Sequence, residues 1–126
     1  MPANTNALAR CTTPEMHHYL RIARPTAIPA GVLIRQQFHQ PKDIRKKGSI
    51  NLVTATDIAA EALIVETLRR ETPHLPVMAE ETAQTLAIRD QPLYWVVDPL
   101  DGTTNFAHGV PHFAVSIALL QDERPM

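Results

Sequence analysis

The sequence predicts a layered α/β fold, with N-terminal helices packed on an antiparallel sheet. Three stretches predict it. Residues 57–70 carry Ile58, Ala62, Val65 and Leu68 at helical spacing. Tyr94-Trp95-Val96-Val97 is a short apolar run of the kind that forms a buried strand. From His112 to Leu120 the large residues Phe113, Val115, Ile117 and Leu119 alternate with small ones, which is the period of a strand.

The totals set the frame for these elements. A chain of 126 residues is sized for one domain with a modest core. Its hydrophobic fraction of 44% and charged fraction of 20% are those of an ordinary globular protein. A net charge of -1 gives no global basic field, so neither nucleic acid nor an anionic membrane is an expected partner. No apolar run approaches the length of a membrane span, and the N-terminus lacks the pattern of a secretory signal. The single Cys11 cannot form an internal disulfide and fits a reducing, cytoplasmic compartment.

Residues 1–15 are polar, carry Pro2 and Pro14, and read as a flexible arm ahead of a domain over residues 16–126. Leu20, Ile22, Val32, Leu33, Ile34 and Phe38 suggest one side of a helix or helix pair. Pro25 and Pro29 are expected to interrupt it, leaving the better helix at 31–39. His17, His18 and His39 are read as exposed helix residues rather than ligands. Residues 40–50, with Lys42, Arg45, Lys46 and Lys47, form a basic connector. It is either a solvated loop or a positive rim for an anionic substrate.

The helix over 57–70 has Thr56 or Asp57 as a candidate N-cap, with Arg69 and Arg70 suited to the negative end of its dipole. Thr72-Pro73-His74 ends it, and residues 75–79 read as a short strand running into Glu80-Glu81. Adjacent strand residues point to opposite faces, so only one of those two acids can face a shared site. Residues 82–92 are a polar connector with a helical stretch possible at 85–89. Along the last strand the alternate positions are small, so another element is expected to pack closely there. Met126 falls where a return strand should begin, which is expected to leave a sheet edge unpaired.

The chemistry concentrates in Asp98-Pro99-Leu100-Asp101-Gly102-Thr103-Thr104-Asn105-Phe106, read as a rigid acidic turn after the buried strand. A turn needed only for reversal would use neutral residues at no electrostatic cost. Two close carboxylates repel unless a cation sits between them. Hard divalent cations such as Mg2+ take oxygen ligands, which Asp98, Asp101 and the Leu100 carbonyl could supply. The spacing excludes an EF-hand, and the absence of Lys or Arg within the stretch excludes a Walker-type loop. From Gly102 onward the sequence reads as a helix N-terminus, where backbone N–H groups can hold a phosphate. Together these point to metal-assisted phosphoryl chemistry.

The stretch DPLDGTTNF resembles the signature of the inositol monophosphatase family of Mg2+-dependent phosphatases. NLVTATD at 51–57 and AEE at 79–81 resemble two further motifs of that family, in order and at suitable separations. PHFAVSIAL at 111–119 resembles the segment after the signature in bacterial members. The resemblance covers residues 46–126, with the first 45 matching loosely. It implies a layered sandwich of the sugar-phosphatase type and hydrolysis of a phosphate monoester, foremost inositol monophosphate, by metal-activated water. By resemblance, Glu80, Asp98, Asp101 and the Leu100 carbonyl would hold Mg2+. Asp57 and Thr103 would orient the water with help from Glu80, and the backbone of Gly102 and Thr103 would hold the phosphate. It also allows a homodimer.

Ala79 stands where the family has glycine and Asn51 where it has aspartate. Family members run to roughly twice this length. A family Trp-Asp motif carrying another metal ligand has no counterpart, because the one tryptophan, Trp95, is followed by Val96. The chain therefore reads as the N-terminal portion of such a domain. The alternatives are a non-catalytic fragment with a partial metal site, or a related sugar or nucleotide phosphatase.

Overall fold

A computed structural model describes residues 11–40, 47–79 and 88–126, with backbone alone along 47–52. Two long helices, α1 (Thr13–Phe38) and α2 (Lys47–Glu71), pack on each other and on one face of a four-stranded sheet. The strands are β1 (Val77–Ala79), β2 (Leu93–Asp101), β3 (Ala114–Gln121) and β4 (Arg124–Pro125), in that spatial order. A short helix, α3 (Thr103–Ala107), joins β2 to the loop before β3. The sheet is mixed rather than antiparallel as expected, because β1 runs parallel to β2 while β2, β3 and β4 alternate in direction. A parallel β1–β2 pair needs a long connection, and the chain from 80 to 92 supplies it.

Helix α1 starts at Thr13, inside the expected arm, because Thr12 and Glu15 form a capping box. The Thr12 N–H donates to Glu15 Oε2 at 2.6 Å, and the Glu15 N–H to Thr12 Oγ1 at 3.4 Å. The backbone bond holds the Glu15 carboxyl below its ordinary value. Residues 1–10 of that arm lie outside the described residues.

The two prolines do not interrupt α1, contrary to the sequence expectation. Pro25 and Pro29 are one turn apart and both exposed. The carbonyls that lose their usual donors therefore sit on the solvent side, where water can satisfy them. On the opposite side Thr26, Ala30 and Ile34 are buried at spacings of four. Thr26 Oγ1 also donates to the Ile22 carbonyl at 2.6 Å. Leu20 and Val32, expected on the apolar side, are about half exposed.

Helix α2 begins ten residues earlier than expected, taking in Lys47, Gly48 and Ser49 from the expected connector. Lys42, Arg45 and Lys46 lie outside the described residues. Thr56 and Asp57 are therefore mid-helix, which overturns their reading as an N-cap. Its core stripe is Thr56, Ala60, Ile64 and Leu68, while Ile58 and Ala62 are exposed. Ala30 on α1 and Ala60 on α2 are fully buried in the core that the helices share with the sheet.

At the C-terminal end of α2, Thr72 ties helix to sheet. Its N–H and Oγ1 both donate to the Leu68 carbonyl, at 2.8 and 2.6 Å, and its Oγ1 accepts from Trp95 Nε1 at 3.0 Å. Trp95 is 1% exposed, so this bond satisfies an indole N–H that water cannot reach. Residues 88–89 are helical, and the rest of the expected 85–89 stretch lies outside the described residues.

Candidate functional site

The expected acidic turn is part of strand β2, which continues to Asp101. Asp98 pairs with Ser116 and Asp101 with Ala114, and the register shifts between them. One extra residue on β2 is therefore taken up at Pro99-Leu100. This is a β-bulge, the position in a strand where proline is tolerated. Both bulge side chains are buried.

The bulge decides where the two acids point. In a regular strand, residues three apart face opposite sides of the sheet. With the extra residue absorbed, Asp98 and Asp101 stand opposite Ser116 and Ala114, which are two apart on β3 and share a face. Both acids are thereby brought to one side. Ala114 and Ser116 are exposed, so the small residues expected to lie under a close-packed element instead leave this face open beside the carboxylates. Asp98 is half-buried and its Oδ1 accepts from the Leu100 N–H at 3.3 Å, while Asp101 is exposed. Two carboxylates on one open face present hard oxygens, a donor set suited to a cation of the Mg2+ kind. It is a partial set. Among the described residues, no group of three or more His, Cys, Asp or Glu could hold a metal ion, and Glu80 and Glu81 lie outside the described residues.

The chain then turns at Gly102, whose φ of 95° and ψ of 37° are left-handed, and enters α3 as the sequence led one to expect. A Cβ at Gly102 would lie 2.8 Å from the His112 carbonyl oxygen and 3.2 Å from Phe113 Cα and Cβ. Glycine is required here on both counts. Thr103 and Thr104 are exposed at the start of α3, and Phe106 on its other side is fully buried. Phe106 packs against Phe113 and Phe38 with ring centroids 5.3 and 5.8 Å away, and Phe38 meets Phe113 at 4.9 Å. These rings seat α3 and the loop before β3 on the end of α1.

Helix α2 packs on α3, so the elements carrying Asp57 and Thr103 are neighbours. Asp57 is half-buried with its Oδ1 shielded from solvent. One turn later Glu61, which the sequence reading passed over, likewise buries its Oε1. The sequence held a signal for it, since acids four apart on a helix share a face. Leu100 is 1% exposed as a side chain.

A cavity of about 360 Å3 opens beside these residues, lined by Asp101, Gly102, Asn105, Pro111, His112 and Phe113, with Ala114 at its edge. The sequence placed Asn105 in the stretch at the start of α3 and His112 at the start of the last strand, but not their link, because a hydrogen bond between a helix and the loop after it has no periodic signature. His17, His18 and His39 are exposed, as expected. Cys11 is half-buried, and burial with the Glu15 carboxylate pushes its thiol above the ordinary value, as befits an unreactive cysteine. No helix among the described residues is long and apolar enough to cross a membrane.

The model of the inositol monophosphatase family matches residues 15–126. The chain is 46% identical over 106 residues to Nus factor SuhB of Escherichia coli K12, covering 82% of this chain and 39% of that protein. It is 41% identical over 115 residues to inositol monophosphatase 2 of Solanum lycopersicum, covering 88% of this chain and 43% of that protein. The crystal structure of CysQ from Bacteroides thetaiotaomicron, a bacterial member of the inositol monophosphatase family, superposes with a TM-score of 0.74 at 34% identity. That match covers 86% of this chain and 40% of CysQ. The chain thus spans about two fifths of the length of these relatives.

Proposed function

Because the chain belongs to the inositol monophosphatase family, we propose that it forms one wall of a Mg2+-dependent phosphomonoesterase site, with inositol monophosphate as the foremost substrate. The observation that carries this reading is the bulge at Pro99-Leu100. It presents Asp98 and Asp101 on one open face immediately before the Gly102 turn. A relative named as a Nus factor and relatives named as inositol monophosphatases match the chain at similar identity, so the substrate is part of the proposal.

In this reading Asp98, Asp101, the Leu100 carbonyl and Glu80 hold the cation. When bound, it would supply charge neutralisation at the phosphoryl oxygens and lower the pKa of a water. The chain's own residues do the rest. The backbone N–H groups of Gly102 and Thr103 receive the phosphate, and the left-handed Gly102 lets the backbone approach it without a side chain in the way. The shielded Asp57 carboxylate, on the helix that packs against α3, works with the Thr103 hydroxyl to orient the attacking water and take its proton. Glu80 assists. A cytoplasmic location and a homodimer are part of the same reading.

A second reading is a binding role without turnover, favoured by a relative named as a Nus factor. One experiment separates the two. Phosphate release from inositol monophosphate is measured with and without Mg2+ for the chain and for Asp101→Asn. Weak Mg2+-dependent release that the substitution abolishes is the expected result. Release unchanged by Asp101→Asn would sink the site, and no release at any Mg2+ concentration would leave the binding role standing.

A further inference from the structure

We propose that Asn105 is a positioning residue for this site, clamping the returning loop against the Gly102 turn so that the phosphate-facing backbone keeps one shape. The inference rests on the reading of Gly102 and Thr103 given above. Asn105 lies on α3, and its Nδ2 donates to the His112 carbonyl at 2.9 Å. The same carbonyl is the atom that a Cβ on Gly102 would meet at 2.8 Å, so the bond presses the loop directly onto the turn. The backbone of Asn105 takes part as well, since its carbonyl accepts from the Val110 N–H at 2.8 Å. The Val110 carbonyl in turn accepts from the His112 N–H at 2.8 Å. One residue thus fixes the loop at two points, and the loop forms the far side of the cavity that Asp101 and Gly102 line.

The side-chain amide is the chemically necessary part. A carbonyl oxygen only accepts, so its partner must donate, and a carboxylate of the same shape could not. An aliphatic side chain of similar volume would keep the packing and lose the bond. Asn105 is half-buried and His112 exposed, so the bond holds the loop to α3 where the two meet solvent. Without the clamp, His112 can lift away and Gly102 loses the neighbour that fixes its left-handed turn.

The test uses the chain with Asn105→Ala and Asn105→Leu, each first shown to be folded by thermal melting. Inorganic phosphate is titrated in the presence of Mg2+, and the backbone order parameters of Gly102 and Thr103 are measured by 15N relaxation. The expected result is phosphate affinity weaker by about tenfold in both variants, with lower order at the two amides. A Leu variant that binds and orders like the parent shows that Asn105 only fills space, and overturns the proposal. If the parent itself binds no phosphate, the phosphate role of Gly102 and Thr103 fails. Asn105 is then judged on order alone, with lower order in both variants upholding the clamp and unchanged order overturning it.

Discussion

Replacing Gly102 with alanine tests the turn on which the site is built. At φ 95° an L-residue meets its own backbone, a cost of about 1–2 kcal/mol. The new Cβ would also lie 2.8 Å from the His112 carbonyl and 3.2 Å from Phe113, inside ordinary contact distance. Neither neighbour is free to yield. The carbonyl is held by Asn105, and Phe113 is packed between Phe38 and Phe106. Overpacking of this kind costs about 1–3 kcal/mol. Alanine returns roughly 0.4–1 kcal/mol by restricting the unfolded chain, so the net loss is about 1–5 kcal/mol, centred near 3. This is a large part of the roughly 5–15 kcal/mol that holds a domain together. Urea unfolding of Gly102→Ala measures it directly. Gly109 supplies the control, because its φ is 72° yet nothing lies within 4 Å of its Cβ position. Gly109→Ala should show the conformational cost alone, about 1 kcal/mol. Equal losses at the two glycines would refute the argument from close approach, and a loss below about 0.5 kcal/mol at Gly102 would refute the argument from backbone shape as well.

Two substitutions away from the site test the fold. Thr72→Val keeps the side chain's shape but leaves the buried Trp95 Nε1 without its acceptor, so stability should fall by about 1–3 kcal/mol. Trp95 is the one tryptophan, so its fluorescence reports the unfolding, and a loss under about 0.5 kcal/mol would contradict the role given to that bond. Pro29→Ala should stabilise α1 by about 2–3 kcal/mol, since proline is roughly 3 kcal/mol worse than alanine inside a helix and its unfolded-state advantage is only about 0.4–1 kcal/mol. A lower melting temperature would instead mean that the proline's geometry is needed where α1 meets α2 and β3.

Much of the candidate site was legible in the residues themselves, because it depends on residue type and short spacing. Asp98, Asp101 and Gly102 carry their meaning in a stretch of five residues, and the alternation from Phe113 to Leu119 fixes which side of β3 meets the helices. Helix α1 was not legible. Local propensity condemns Pro25 and Pro29, but it does not see that both face water while Thr26, Ala30 and Ile34 bury the opposite side. The same holds for Asp57. Its place after a Thr looked like a helix start, whereas the packing of α2 on α1 and the sheet extends the helix through it. Ala30 and Ala60 are fully buried, and alanine carries too weak a hydrophobic signal to show that in a sequence pattern. By itself, then, the sequence determined which atoms are available for chemistry and that they lie near a strand end and a glycine turn. Only the tertiary structure decided which way they face, because one residue absorbed opposite β3 inverts the side of everything after it. The bulge at Pro99-Leu100 turns two acids three residues apart into neighbours on one open face.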